Sequence, residues 1–310
     1  MRQSTSRILM IRPSNFRKNE QTADNSFQSP LDLDAGLAHE RADQEFHRLA
    51  HSMMDKGIEV LVCDAPEGKD TPDALFPNNW VSFHSNGKVA LYPMKAKNRR
   101  AERNEHILTQ VSNEFGLLQE ELVDFTEFES HEVFLEGTGS VVLDRVHKKA
   151  YCCLSERSDR GAFDRFCDTM GFKGVVFHAY AAPQESASPV YHTNVVMSVG
   201  SHFAVLCAEA IPSDLEKENV MAELRENEKE ILFITLEQMA NFAGNILEVL
   251  NEEGLSFIVM SDRARNAFTA EQITSLEKFG EIISSDLTTI ETLGGGSARC
   301  MLCEVFLPKL

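Results

Sequence analysis

Short alternating apolar and polar runs recur along the chain in pairs, each pair followed by a charged helical stretch and a third short apolar run. "WVSFHSNGKVALYP" (Trp80 to Pro93) holds two such runs around Asn86-Gly87, a strong hairpin signal. A helical stretch from roughly Asn98 to Phe115 follows, then the strand-like "LVDF". The pattern predicts strand, strand, helix, strand.

That unit recurs. "GSVVLDRVHKKAYCCL" reads as a hairpin, "DRGAFDRFCDTMG" as a helix ending at Gly171, and "KGVVFH" as a strand. "NVVMSVGSHFAVLCA" is a hairpin turning at Gly200-Ser201, with a Glu/Lys-rich helix capped near Ser213 and "ILFIT" after it. "NILEVLNEEGLSFIVM", "TAEQITSLEKFG" and "EIISSD" repeat the order. A fifth unit is split between the chain ends. "ARCMLCEVFL" supplies one strand and "RILMIRP" pairs with it; a long helix from about Leu33 to Lys56 and "IEVLVCD" complete the unit. Units begin near residues 80, 139, 194, 245 and 298, a period of roughly 50 to 60 residues.

A single unit cannot bury its own apolar face, so neighbours must pack on one another. Because the termini complete one unit between them, the array is expected to close into a ring. The expected fold is α/β, a five-bladed propeller of ββαβ units with pseudo-fivefold symmetry, forming one domain over residues 1–310. The alternative is an unrelated α+β fold with coincidental hairpins.

Composition narrows the function classes. With 43% hydrophobic and 25% charged residues, the chain reads as an ordinary globular protein. Its formal net charge of −18 argues against nucleic acid or an anionic membrane as partner, since both require a basic surface. No apolar run is long enough to span a bilayer, and "MRQSTSRILMIRPS" lacks the features of a signal peptide. Seven cysteines without regular spacing fit reduced thiols and a cytoplasmic setting.

The reactive residues fall where units begin. "DALFPNNW", "FLEGTGS", "YHTN", "FAGN" and "GGGSARC" each stand at or just before a first strand. In a ring of like units these positions gather at one end of the axis, which brings Glu136, His192 and Cys300 into one pocket. Together they suit nucleophilic catalysis: a thiolate attacks carbon, imidazole moves protons and a carboxylate orients the imidazole. Gly294 to Gly296 leave room for a ligand. Taken singly, each residue has an ordinary structural reading; a lone Cys is usually a small buried hydrophobe. A metal site is disfavoured, because Cys300 and Cys303 have no second pair and, in a strand-like run, point to opposite faces. Cys303 is expected to be packing.

These motifs, with "ILMIRPSNF", "LSERS" and "AGNILEV", resemble the guanidine-modifying, or pentein, superfamily of arginine deiminases, dimethylarginine dimethylaminohydrolases and amidinotransferases. Within it they are similar to the bacterial citrulline-utilisation hydrolase branch, often labelled amidinotransferase or arginine-deiminase-related. The resemblance spans essentially the whole chain and implies a five-bladed α/β propeller. It implies Cys300 as nucleophile, His192 as general acid/base and Glu136 as the carboxylate beside it. It places Phe76, Asn78, Asn79 and Asn194 among the substrate-binding residues, and Arg157 of "LSERS" on a substrate α-carboxylate. An arginine read alone is more often a surface residue. No metal or organic cofactor is implied.

Two positions depart from the deiminase pattern, which has aspartates where this chain has Asn79 and Asn194. Carboxylates grip a guanidinium through charge-assisted hydrogen bonds. An asparagine offers an acceptor and two donors without charge, which suits a neutral ureido group; either asparagine is also a common turn brace. The expected activity is hydrolysis of citrulline to ornithine, ammonia and carbon dioxide through a covalent cysteine intermediate. The alternatives are a deiminase, dihydrolase or amidinotransferase acting on a guanidino substrate, and a non-catalytic binding protein, which should lack the nucleophile and its base.

Overall fold

The computed structural model describes residues 2–182 and 188–310. Near the N-terminus, β1 (Arg7–Ile11) and β2 (Glu59–Cys63) flank the helix Ala35–Met54. Next come β3 (Val81–Phe83), β4 (Lys88–Leu91) and β5 (Glu121–Asp124), then β6 (Val141–Asp144), β7 (Lys149–Cys153) and β8 (Lys173–Phe177). They are followed by β9 (Met197–Val199), β10 (Phe203–Leu206) and β11 (Glu230–Phe233), by β12 (Leu247–Leu250), β13 (Ser256–Ser261) and β14 (Glu281–Ser285), and by β15 (Cys303–Glu304). Among the described residues these strands form five three-stranded sheets of one topology: β3-β4-β5, β6-β7-β8, β9-β10-β11, β12-β13-β14 and β15-β1-β2.

In every sheet the middle strand runs antiparallel to the first and parallel to the third. The antiparallel pairs of the four internal sheets are hairpins, and each parallel pair needs a helical crossover. The fifth sheet joins the chain ends, with Ile8 opposite Glu304 and Leu9 opposite Cys303. The five sheets stay separate, and none closes on itself.

The crossover helices start where the sequence supplies a cap. Asp34, Asn104, Asp159, Ser213 and Thr269 each accept a hydrogen bond from a first-turn N–H. Thr269 and Gln272 complete a capping box. The stretch expected as one helix from Asn98 to Phe115 is divided into a 3-10 turn at Asn98–Glu102 and a helix at Glu105–Phe115. The break has a local cause: Asn104 takes an extended conformation to cap the second segment. The C-terminal strand is also shorter than expected. Cys300 lies in a one-turn helix, Ala298–Met301, and only Cys303–Glu304 pair as strand.

Apolar side chains pack between successive units. Leu9 and Ile11 of β1 share a cluster with Val81, Phe83 and Val89 of the β3-β4 hairpin. Ala90 and Tyr92 pack with Val141, Leu143 and Phe166 of the next unit. Tyr151 and Phe177 meet Val205 and Phe203, and that cluster continues to Ile258 and Met260 of β13. Val249, Phe257 and Val259 pack with Ile8, Met10 and Phe46. Each unit therefore buries part of its apolar face against its neighbours.

Candidate active site

Four of the five first strands are entered through a single helical turn: Pro77–Asn79 before β3, Gly137–Ser140 before β6, Thr193–Val196 before β9 and Ala298–Met301 before β15. The segment Phe242 to Asn245 takes that place before β12. Phe76, Asn79, Arg157, His192, Gly294, Gly296 and Cys300 line one small cleft beside these entries. Thr22 and Asn25, from the loop after β1, line it as well. Two glycines of the Gly294–Gly296 run sit against the Phe76 ring, where an added Cβ would come within 3.0 Å of it.

Glu136 stands behind His192 rather than on the cleft wall, and its Oε2 lies 2.9 Å from His192 Nε2. Its other oxygen accepts from the Lys95 N–H at 3.0 Å. Arg157 and Arg99 approach Oε2 to 3.8 and 4.0 Å. Burial alone would raise the Glu136 carboxyl, but Arg157, the His192 hydrogen bond and Arg99 outweigh it and hold the group at about 2. An ionised carboxylate can only accept, so Nε2 carries the imidazole proton and Nδ1 is the free base. Burial lowers the His192 pKa below its ordinary value, against the opposing pull of Glu136. The imidazole is thus neutral and basic at Nδ1 near neutral pH. Gly139 makes this seat possible: a Cβ there would stand 2.6 Å from His192 Nδ1 and 2.5 Å from Asn79 Nδ2.

Cys300 is buried at the cleft base, and its Sγ accepts from Asn194 Nδ2 at 3.4 Å. Asn194 stands behind the sulfur, and its buried Oδ1 has no partner among the described residues. Asn78 is buried behind Asn79 and accepts from Asn79 Nδ2 at 3.0 Å. Asn79 Oδ1 in turn accepts from Arg99 Nη1 at 2.8 Å. Arg157 is buried, contrary to the surface reading, and donates to Asp24 at 2.8 Å while its Nε has no partner among the described residues. Cys303 lies in the core with Leu9 and Val81. Among the described residues no cluster of three or more His, Cys, Asp or Glu side chains forms a metal-binding group.

Thr22, Asn25, Tyr191, Asp73 and Arg99 line the cleft without having been singled out in the sequence. Arg99 forms a two-pronged pair with Glu102 at 2.9 and 3.0 Å. Asp73 accepts from Asn19 at 2.7 Å, leaving Oδ1 buried without a partner among the described residues. Burial raises the Asp73 carboxyl against the pull of Arg99. Asp73 sits in the quoted "DALFPNNW", three residues before Phe76, and that proximity was its only signal. Arg99 falls inside the stretch expected only to be a charged helix.

Comparison with known proteins gives a consistent relationship. The family described as N,N dimethylarginine dimethylhydrolase, eukaryotic, matches residues 12–307. No curated protein matches the chain in sequence. Among solved structures, the arginine dihydrolase ArgZ from the ornithine-ammonia cycle in Cyanobacteria superposes with a TM-score of 0.73 at 17% identity, over 98% of this chain and 41% of the other. The present chain therefore spans about two fifths of that protein's length. The N-terminal domain of ArgZ, in a substrate-bound variant, matches with a TM-score of 0.72 at 18% identity, over 98% of this chain and 99% of that domain. A dimethylarginine dimethylaminohydrolase adduct with S-methyl-L-thiocitrulline matches with a TM-score of 0.62 at 15% identity, over 97% and 99% of the two chains. At such identities the superpositions speak for the fold, while the sequence match covers nearly the whole chain. The chain belongs to the N,N-dimethylarginine dimethylhydrolase family, within the guanidine-modifying pentein superfamily.

Proposed function

We propose that residues 1–310 form one catalytic unit, a ring of five ββαβ blades, that hydrolyses the terminal C–N bonds of a ureido amino acid, with citrulline as the preferred substrate. The observation that carries this reading is the cleft itself. A cysteine and a neutral imidazole backed by an ionised carboxylate share one small space, and the side chains touching the sulfur are neutral amides.

In this reading Cys300 attacks the ureido carbon as a thiolate. The C–N bond to the terminal nitrogen breaks, and a proton relayed through His192 lets that nitrogen leave as ammonia. Water, losing a proton to His192 Nδ1, attacks the resulting S-carbamoyl carbon and the C–S bond breaks. The released carbamate loses carbon dioxide, so citrulline plus water gives ornithine, ammonia and carbon dioxide. Asn79 faces the planar group across the cleft. The unpartnered Nε of Arg157 suits the substrate α-carboxylate, and the unpartnered Oδ1 of Asp73 suits its ammonium.

A second reading is hydrolysis of arginine in two rounds, releasing ammonia each time and passing through citrulline. Asp73 favours it, as a carboxylate on the cleft wall, and so do the arginine dihydrolases among the structural relatives. Both readings use the same nucleophile and differ in the charge of the group that reaches it.

Incubation of the purified protein with citrulline or arginine, with ornithine, citrulline and ammonia quantified, separates them. Citrulline is expected to give ornithine and ammonia in equal amounts, faster than arginine is consumed. Asn79→Asp is expected to shift the ratio of kcat/KM for citrulline over arginine by roughly tenfold or more toward arginine, since it adds a charge beside a buried cation site. Arginine turnover with no reaction of citrulline would overturn the ureido assignment.

A further inference from the structure

The segment "FAGN" occupies the fourth of the five unit entries, and the mechanism above gives it no task. Its asparagine, Asn245, is fully buried. Asn245 Nδ2 lies 3.3 Å from Cys300 Sγ and also 3.0 Å from the backbone oxygen of Asn194. Asn194 Nδ2 reaches the same sulfur from the third entry at 3.4 Å. The sulfur of Cys300 thus rests between two amide donors from adjacent units.

The surrounding chain holds Asn245 in this position at some cost to itself. Phe242 takes a left-handed conformation with φ 62°, uncommon for a bulky residue, and such strain persists only where the surroundings enforce it. The Asn245 N–H donates back to the Phe242 oxygen at 2.8 Å, closing the turn. At Gly244, an added Cβ would lie 2.2 Å from the Val195 oxygen. Only glycine lets this turn approach the Thr193–Val196 turn closely enough for the amide to reach the sulfur.

We propose that Asn245 is a further catalytic residue, which with Asn194 forms a two-amide cradle that stabilises the Cys300 thiolate and aims it into the cleft. A thiolate, rather than a thiol, is the attacking form. An N–H donor within reach favours the charged form over the neutral one, because hydrogen bonds to charged groups are the stronger ones. The split contact of Asn245 Nδ2, with the Asn194 oxygen as its second acceptor, also ties the two donors together. The proposal rests on Cys300 being the nucleophile, and is independent of which substrate it attacks.

Alkylation of Cys300 tests it without any substrate. Wild type, Asn245→Asp and Asn245→Ala are treated with iodoacetamide between pH 6 and 10, and modification of the Cys300 peptide is followed by mass spectrometry. Asn245→Asp keeps the shape and places a second anion beside the sulfur. Near neutral pH it is expected to slow alkylation at least about tenfold, with the rate recovering as pH rises. Asn245→Ala, which retains Asn194, is expected to show a smaller loss with the same recovery. Thermal midpoints identify folded variants, and a merely structural defect would not reverse with pH. Folded variants that alkylate like wild type across the range would overturn the proposal, whatever the substrate assay shows.

Discussion

Cys300→Ala is expected to reduce turnover of citrulline and of arginine alike, by on the order of 10⁴-fold or more, because no other group replaces the attacking sulfur. The other cysteines are buried, and Cys152, Cys153, Cys167, Cys207, Cys63 and Cys303 are all absent from the cleft wall. Burial also pushes the Cys303 thiol up to about 12, which leaves it inert at working pH. The alanine variant should fold, since the lost sulfur borders an existing cleft rather than a sealed core. Steady-state assays beside thermal unfolding check both halves of the prediction. Substantial turnover by a folded Cys300→Ala protein would remove the nucleophile from the account.

Glu136→Gln is expected to lower kcat by roughly 10² to 10⁴-fold, an effect of the size seen when the carboxylate orienting a catalytic imidazole is neutralised. The amide can donate as well as accept, so it no longer fixes the proton on His192 Nε2, and it leaves Arg157 and Arg99 without their shared anion. The pH dependence follows from the same groups. His192 is pulled below the ordinary 6.5 by burial, so the wild-type rate should hold at that pH and fall only in more acidic solution. For stability the sign is fixed by Glu136, whose carboxyl moves from about 4.5 to about 2 on folding. Its contribution is full above the unfolded value and is lost as pH falls toward the folded one. Thermal midpoints measured between pH 5 and 2 should therefore drop more steeply for wild type than for Glu136→Gln. Parallel curves, or an unchanged kcat, would contradict the role.

The repeat was legible because each of the four internal units carries its own hairpin, cap and crossover. Asn86-Gly87 marks a turn and Ser213 and Thr269 mark helix starts, by chemistry that acts within a few residues. Their places at unit entries gather Glu136, His192 and Cys300; His192 and Cys300 line the cleft, and Glu136 stands behind His192. What escaped depends on partners distant in sequence. Arg99 lies in a stretch expected only to be a charged helix, yet it turns inward to Asn79, 20 residues back along the chain. Asp24 closes on Arg157 across 133 residues of chain. The division of the Asn98 to Phe115 stretch and the helical turn at Cys300 also escaped. In both cases a local polar contact or an entry geometry overrode the run of residues around it.

The central claim is that Cys300 forms a covalent bond to the substrate carbon. The most direct measurement is mass spectrometry of the protein quenched in acid during turnover of citrulline, followed by digestion. The account predicts an S-carbamoyl adduct carrying the amino-acid side chain on the Cys300 peptide, absent from Cys300→Ala. Turnover of citrulline with no adduct on Cys300, in a protein whose alanine variant stays active, would contradict it.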